Sequence, residues 1–334
     1  MPAESPITIN TPTTPPPPLK LLGPQWFATV MGLAGLALAW AAAVPKIGPA
    51  AEWVARGIGG FAALDFLVLL VLFSRRGQLY PEALTADLLH PVRHAFIATI
   101  TVSMILVATL GHALFGVSVA WESLWLIACL LQFAVTVWVL SRWWLGNNIG
   151  GFQWPGITPV LIIPVVGNVL APLAGVPLGQ HEWSAVQFGV GAFLWPVVMV
   201  LIFARIGVQG LWPDRLLPAG FITVAPPAVI GLALLRFEAV PAWAQGCWGI
   251  ALFFLLWAAQ VLRPMLAQPF SMAWWALSFP LAAFAALTLK LAPTGQLFAL
   301  LAMPLLALAT LVIAALCLWT LRGLQRGTLL VAEP

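Results

Sequence analysis

Apolar runs of roughly 18 to 25 residues follow one another along the chain, broken only by short polar linkers, and that is the length a helix needs to cross a bilayer. They fall at about 25–43, 56–73, 93–111, 121–141, 158–175, 183–205, 217–235, 242–262, 272–289 and 297–320. A membrane β-barrel would instead show short segments of alternating polarity. The two longest linkers, Ser74–Pro91 and Arg142–Gly156, carry polar and turn residues. The pattern therefore predicts an all-α integral membrane protein with ten transmembrane helices. Composition agrees: 62% of the 334 residues are hydrophobic, 7% are charged, and mean hydropathy is +1.02, whereas a soluble domain carries about 25% charged residues.

Charge orients the spans. Lys20, Arg75, Arg76, Arg93, Arg142, Arg205, Arg215, Arg263, Arg322 and Arg326 lie on the side of the N-terminus, against Lys46, Arg56, Arg236 and Lys290 on the other. By the positive-inside rule both termini are cytoplasmic, which in a bacterium makes this a multi-pass inner-membrane protein. Trp26, Trp53, Trp121, Trp143, Trp144, Trp212, Trp243, Trp274 and Trp275 sit near span ends, where interfacial anchors belong. Residues 1–20 are Pro- and Thr-rich and read as a disordered cytoplasmic tail. Residues 21–324 form the transmembrane domain, and 325–334 a short cytoplasmic tail.

Several classes of chemistry find no support. The basic residues make no stripe for nucleic acid. Cys129, Cys247 and Cys317 each fall inside an apolar run, unclustered, which argues against disulfides and a metal site. His90, His94, His112 and His181 have no metal-ligand or catalytic-triad spacing, and no Gly-rich phosphate loop is present. No cofactor and no enzyme activity are expected; the expected contacts are small solutes and membrane lipid.

The spans pair into five tandem hairpins beginning near residues 25, 93, 158, 217 and 272, and the two members of each pair differ. The first members are rich in small residues and proline: Gly32 and Gly35; Thr99, Thr101 and Ser103; Pro164, Gly167, Asn168 and Pro172; Pro226 and Pro227; Pro280. The second members are bulkier, as in Phe66–Phe73 and Phe253–Trp257. Proline frees a backbone carbonyl that lipid does not satisfy, so it is best tolerated facing protein or a watery cavity. Five odd helices are thus expected inside, around a central pore, and five even helices outside. Gly32, Ser103, Pro164, Gly167, Asn168, Pro227 and Pro280 are the candidate pore-lining residues. The alternative is that Gly and Pro serve helix packing.

Four stretches carry a resemblance: Leu89-His-Pro-Val-Arg-His-Ala-Phe96; Pro164-Val-Val-Gly-Asn168; Gln187-Phe-Gly-Val-Gly191 leading to Leu194-Trp-Pro196; and Trp274-Trp-Ala-Leu-Ser-Phe-Pro280. In their order and placement the chain resembles the tellurite-resistance/dicarboxylate transporter family, which includes the TehA-like bacterial proteins and the slow-type anion channels of plant guard cells. The resemblance implies a homotrimer with one pore per subunit, passage of small anions, and occlusion of the pore by the phenylalanine of the Ser/Thr–Phe–Pro motif, here Phe279. The first helix departs from the pattern. Bacterial members often read Phe-Gly-x-Pro-x-Gly, and here Ala28 and Val30 stand in place of Gly and Pro, which leaves open how closely Phe279 approaches that helix.

A ring beside a proline can stopper a narrow lumen and gate it by excluding water, or it can be ordinary core packing. The inner spans contain no acid, and their basic residues, Arg93 and Lys290, lie at the ends, so the lumen is expected to be uncharged through the midplane. Arg93 and His94 are vestibule candidates or interfacial anchors. Asn168 either meets a passing ion or satisfies a freed carbonyl. Asp65, the acid within a span, is either a proton-coupling site or a structural hydrogen-bond partner. Two functions remain: a gated channel for inorganic anions such as chloride or nitrate, or a carrier of a C4-dicarboxylate, sulfite or tellurite oxyanion, proton-coupled through Asp65.

Overall fold

The computed structural model describes residues 16–145 and 154–331; residues 1–15, 146–153 and 332–334, with the side chains of Trp143 and Trp144, lie outside the described residues. Most of the expected N-terminal tail and parts of the Arg142–Gly156 linker and C-terminal tail fall there. The fold is all-helical. Nine described helices are long and apolar enough to cross a membrane: α1 Pro24–Ala42, α2 Pro49–Leu79, α3 Arg93–Phe115, α4 Val119–Arg142, α6 His181–Gln209, α7 Asp214–Arg236, α8 Pro241–Ala259, α9 Met272–Thr294 and α10 Gln296–Gln325. The fifth predicted span is the shorter apolar stretch Pro159–Gly175 (α5). It is interrupted after Ile162–Val169 and resumes as Pro172–Gly175. Pro172 brings no N–H to continue the ladder, and the Asn168 carbonyl is taken by Ala171 N instead, at 3.3 Å.

Burial separates the helices into two sets. Over the 18-residue apolar core of each span, 67% of residues are buried in α1 and α3 and 89% in α7 and α9; the figures for α2, α4, α6, α8 and α10 run from 22% to 33%. Every residue of Ile162–Val169 in α5 is buried. The odd elements close a ring, α1 on α3, α3 on α5, α5 on α7, α7 on α9 and α9 on α1, and each even helix packs on the odd one before it. Bulky side chains such as Phe61, Leu64, Phe193, Phe253 and Leu311 stand exposed on the even helices, as lipid-facing residues do.

All five inner elements open with a stretch of 3₁₀-helix: Pro24–Phe27, Arg93–Ile97, Pro159–Leu161, Asp214–Val224 and Met272–Leu277. At four of the junctions a hydroxyl donates to the carbonyl three residues back. These are Thr29 to Trp26 (2.9 Å), Thr99 to Phe96 (2.7 Å), Thr223 to Gly220 (2.8 Å) and Ser278 to Trp275 (2.6 Å). Such back-bonding competes with the regular helical ladder and alters its local geometry. Pro226, Pro227 and Pro280 lie in the first turn of the α-helical parts that follow. There they open a helix rather than break one.

The expected tail boundary at residue 20 falls inside a structured turn. Pro18–Leu21 is a 3₁₀ turn, and the Lys20 carbonyl accepts a hydrogen bond from Arg76 Nε at 3.0 Å. At the other end, the chain folds back after α10, with Thr328 N donating to Gly323 O at 2.9 Å.

Candidate pore

Two cavities lie within the ring, and all five inner elements border each of them. The first, about 1100 Å³, opens at the end of the bundle where both described chain ends lie. Its walls include Met31, Phe96, Val166, Ile222 and Ala276, one from each inner element. Six cations border it, Lys20, Arg76, Arg93, Arg215, Arg322 and Arg326, against two acids, Glu82 and Asp87. The second, about 230 Å³, lies toward the opposite end and is walled by Gly35, Leu106, Leu170, Val229 and Ala283, with Arg236 and Lys290 at its rim. Among the described residues, those two are its only charged lining residues. Among the described residues, Phe279 alone borders both cavities.

The setting of Phe279 follows from its neighbours. Ser278 donates to Trp275 O, and Trp275 Nε1 donates to Thr320 Oγ1 of α10 at 2.9 Å, which anchors the start of the helix. Gly32 lets α1 approach α9 closely: a Cβ there would stand 2.3 Å from Ser278 Oγ. One turn further, a Cβ on Gly35 would lie 3.0 Å from the Phe279 ring. The ring is only 5% exposed. Gly32 and Gly35 thus bring α9 and its phenylalanine against the first helix, with Ala28 and Val30 in place.

The other sequence candidates divide. Pro280 borders the larger cavity. Gly32, Ser103, Pro164, Gly167, Asn168 and Pro227 border neither cavity. Ser103 donates to Phe27 O at 3.1 Å, tying α3 to α1. Pro164, Gly167 and Asn168 face α4. The Pro164 carbonyl accepts from Gln132 Nε2 and Thr136 Oγ1, each at 2.7 Å, and Asn168 Nδ2 donates to Thr136 Oγ1 at 2.7 Å. A Cβ on Gly167 would meet Gln132 Cδ at 2.3 Å. Small residues there make room for the buried amide of a neighbouring helix. Pro227 is buried within α7.

Arg93 borders the larger cavity, 3.3 Å from Asp87. His94 is buried, hydrogen-bonded to His90 O at 2.9 Å and set edge-on to Trp138, and borders neither of these two cavities. Asp65 of α2 accepts from Thr29 Oγ1 at 2.5 Å and also borders neither cavity. The sequence did not single out the pair that frames the larger mouth. Arg76, 3% exposed, and Asp87, 2% exposed, are 2.6 Å apart, and Arg76 also donates to the carbonyls of Lys20 and Ala83. The partners are eleven residues apart across a helix break, so no local spacing reveals them. At the rim, Lys20 lies 2.8 Å from Glu82, and its hydrogen bond holds that carboxyl below the usual range.

The family described as SLAC1, voltage-dependent anion channel, matches residues 22–321. The chain is 26% identical over 298 residues to the uncharacterized transporter MJ0576 of Methanocaldococcus jannaschii, covering 80% of this chain and 83% of that one. It is 26% identical over 263 residues to the tellurite resistance protein TehA homolog of Haemophilus influenzae, covering 78% of each. Against the S-type anion channel SLAH3 of Arabidopsis thaliana, identity is 24% over 302 residues, covering 88% of this chain and 47% of the plant protein, so the chain spans about half that channel's length. With a helical bundle fit for the bilayer and a match along nearly its whole length, the chain belongs to the SLAC1 family of anion channels and transporters and is a multi-pass membrane protein.

Proposed function

We propose that the protein is a gated, passive channel for small inorganic anions such as chloride or nitrate, and that the Phe279 ring is its gate. The observation that carries this is the position of Phe279, which alone borders both cavities. An apolar constriction between two wider spaces closes a pore by excluding water. The larger mouth has six cations and two acids, a balance that draws anions. The absence of charge from the walls between the mouths suits conduction, since a fixed cation at midplane would bind an ion and delay its exit. A closed ring within one chain agrees with one pore per subunit, and we extend the reading to a homotrimer in the bacterial inner membrane with cytoplasmic termini.

The carrier alternative rests on Asp65. That carboxyl lies off both cavities, against Thr29, where it stitches α2 to α1. An ion-replacement series of reversal potentials in planar bilayers separates the two readings. The channel reading expects the reversal potential to follow the chloride or nitrate gradient, unchanged in Asp65→Asn. A potential that follows the cation gradient contradicts anion passage. Slow, saturable, pH-dependent flux that Asp65→Asn abolishes makes the protein a carrier.

A further inference from the structure

Four lysines and arginines belong to the end of the bundle remote from the chain termini: Lys46, Arg56, Arg236 and Lys290. Two of them have local partners. Lys46 Nζ donates to Ala299 O at 3.2 Å, and Arg56 pairs with Glu52 at 2.6 Å. Arg236 and Lys290 have neither an ion pair nor a hydrogen bond among the described residues, and these are the two that border the 230 Å³ cavity. They come from the ends of α7 and α9, adjacent helices of the ring, and line the same cavity.

No described lining residue of the cavity offsets this charge. Among the described residues no acid borders it, and Glu238, two residues past Arg236, is exposed and makes no ion pair with either cation. The one lining hydroxyl, on Thr109, is already donated to Ile105 O at 2.7 Å. The other walls are aliphatic or aromatic. A cation at a helix C-terminus gains from the helix dipole, which accounts for either residue alone. It does not account for two exposed cations bordering one cavity with no acid among its described lining residues, since like charges that share a mouth repel.

We propose that Arg236 and Lys290 form an anion-binding site at this mouth that holds a doubly charged oxyanion and takes singly charged anions more weakly. A dianion neutralises both cations, and a guanidinium presents a planar fork of donors matched to two oxygens of one oxyanion. Past the rim the described lining residues offer no free side-chain donor. Desolvation rises steeply with ionic charge, so the dianion stays at the rim and obstructs the path that a monovalent anion follows. The binding claim stands on the geometry alone; the obstruction claim rests on the channel reading above.

Sodium sulfate is the probe, used in two measurements on the full chain. In calorimetry of purified protein, sulfate is expected to bind saturably, with affinity at least tenfold weaker in Arg236→Gln/Lys290→Gln and unchanged in Lys46→Gln, which removes a cation from the same end but off the cavity. If the double variant does not fold, each single substitution is expected to weaken binding. In bilayers, chloride current through Phe279→Ala is expected to fall when sulfate is added on the Arg236/Lys290 side, and the added double substitution to raise the half-blocking concentration at least tenfold. No sulfate binding, or equal binding by the double variant, overturns the site. Intact sulfate binding in a protein that carries no anion current overturns the channel reading and leaves the site standing.

Discussion

Phe279→Ala is expected to raise chloride current in planar bilayers at least about tenfold, since a barrier lowered by only about 1.4 kcal/mol multiplies a rate by ten. The ring stands where cavities of about 1100 and 230 Å³ approach each other, and truncation joins them. The structure also limits the collateral damage. Deleting a core phenylalanine commonly costs about 3–5 kcal/mol, but this ring has a cavity on each side and the hydrogen of Gly35 on a third. The variant is expected to fold, with stability lost at the low end of that range, as thermal unfolding in detergent will read. An unchanged current in a folded variant removes Phe279 as the gate.

The second large effect concerns stability at the other end of the path. Asp87→Ala is expected to destabilise the protein by about 3–5 kcal/mol, because deleting one partner of a buried pair strands the other charge. The stranded guanidinium is Arg76, 3% exposed. It links three segments, by bonding the Lys20 carbonyl, the Ala83 carbonyl and Asp87 itself. The helix Pro81–Leu89 and the Pro18–Leu21 turn should therefore loosen together, widening the mouth with its basic residues. Asp87→Asn keeps an acceptor for Arg76 and should fall between wild type and Asp87→Ala. Thermal unfolding of the two variants provides the check; equal stability of wild type and Asp87→Ala would mean that the pair holds nothing.

Much of the architecture was legible because lipid imposes a length. A span needs about 20 apolar residues, and the ten expected runs match nine long helices and the broken Pro159–Gly175 to within a few residues at most ends. The contrast between small, proline-bearing spans and bulky ones anticipates which helices are buried. Which face of an inner helix looks at the lumen was not legible. When every position is apolar or small, no periodicity distinguishes the two sides. Gly32 and Gly167 are small because Ser278 and Gln132 come close, not because space is needed for an ion. Asn168 and Pro164 belong to a polar network with α4 for the same reason. The 3₁₀ openings do have a mark in the sequence, a Ser or Thr at four of the five junctions. Arg236 and Lys290 read as helix-end anchors in sequence; only the fold brings them to one cavity.

Sided thiol labelling tests the central claim, a path through the odd helices divided at Phe279. In a background lacking Cys129, Cys247 and Cys317, Ala276→Cys places a thiol in the larger cavity and Ala283→Cys one in the smaller. With a membrane-impermeant anionic reagent, position 276 is expected to react only from the side of the termini and position 283 only from the opposite side. With Phe279→Ala added, each should react from both sides. If both positions stay inert while thiols on the even helices react, or if truncating Phe279 leaves the sidedness unchanged, the path does not run where these cavities lie.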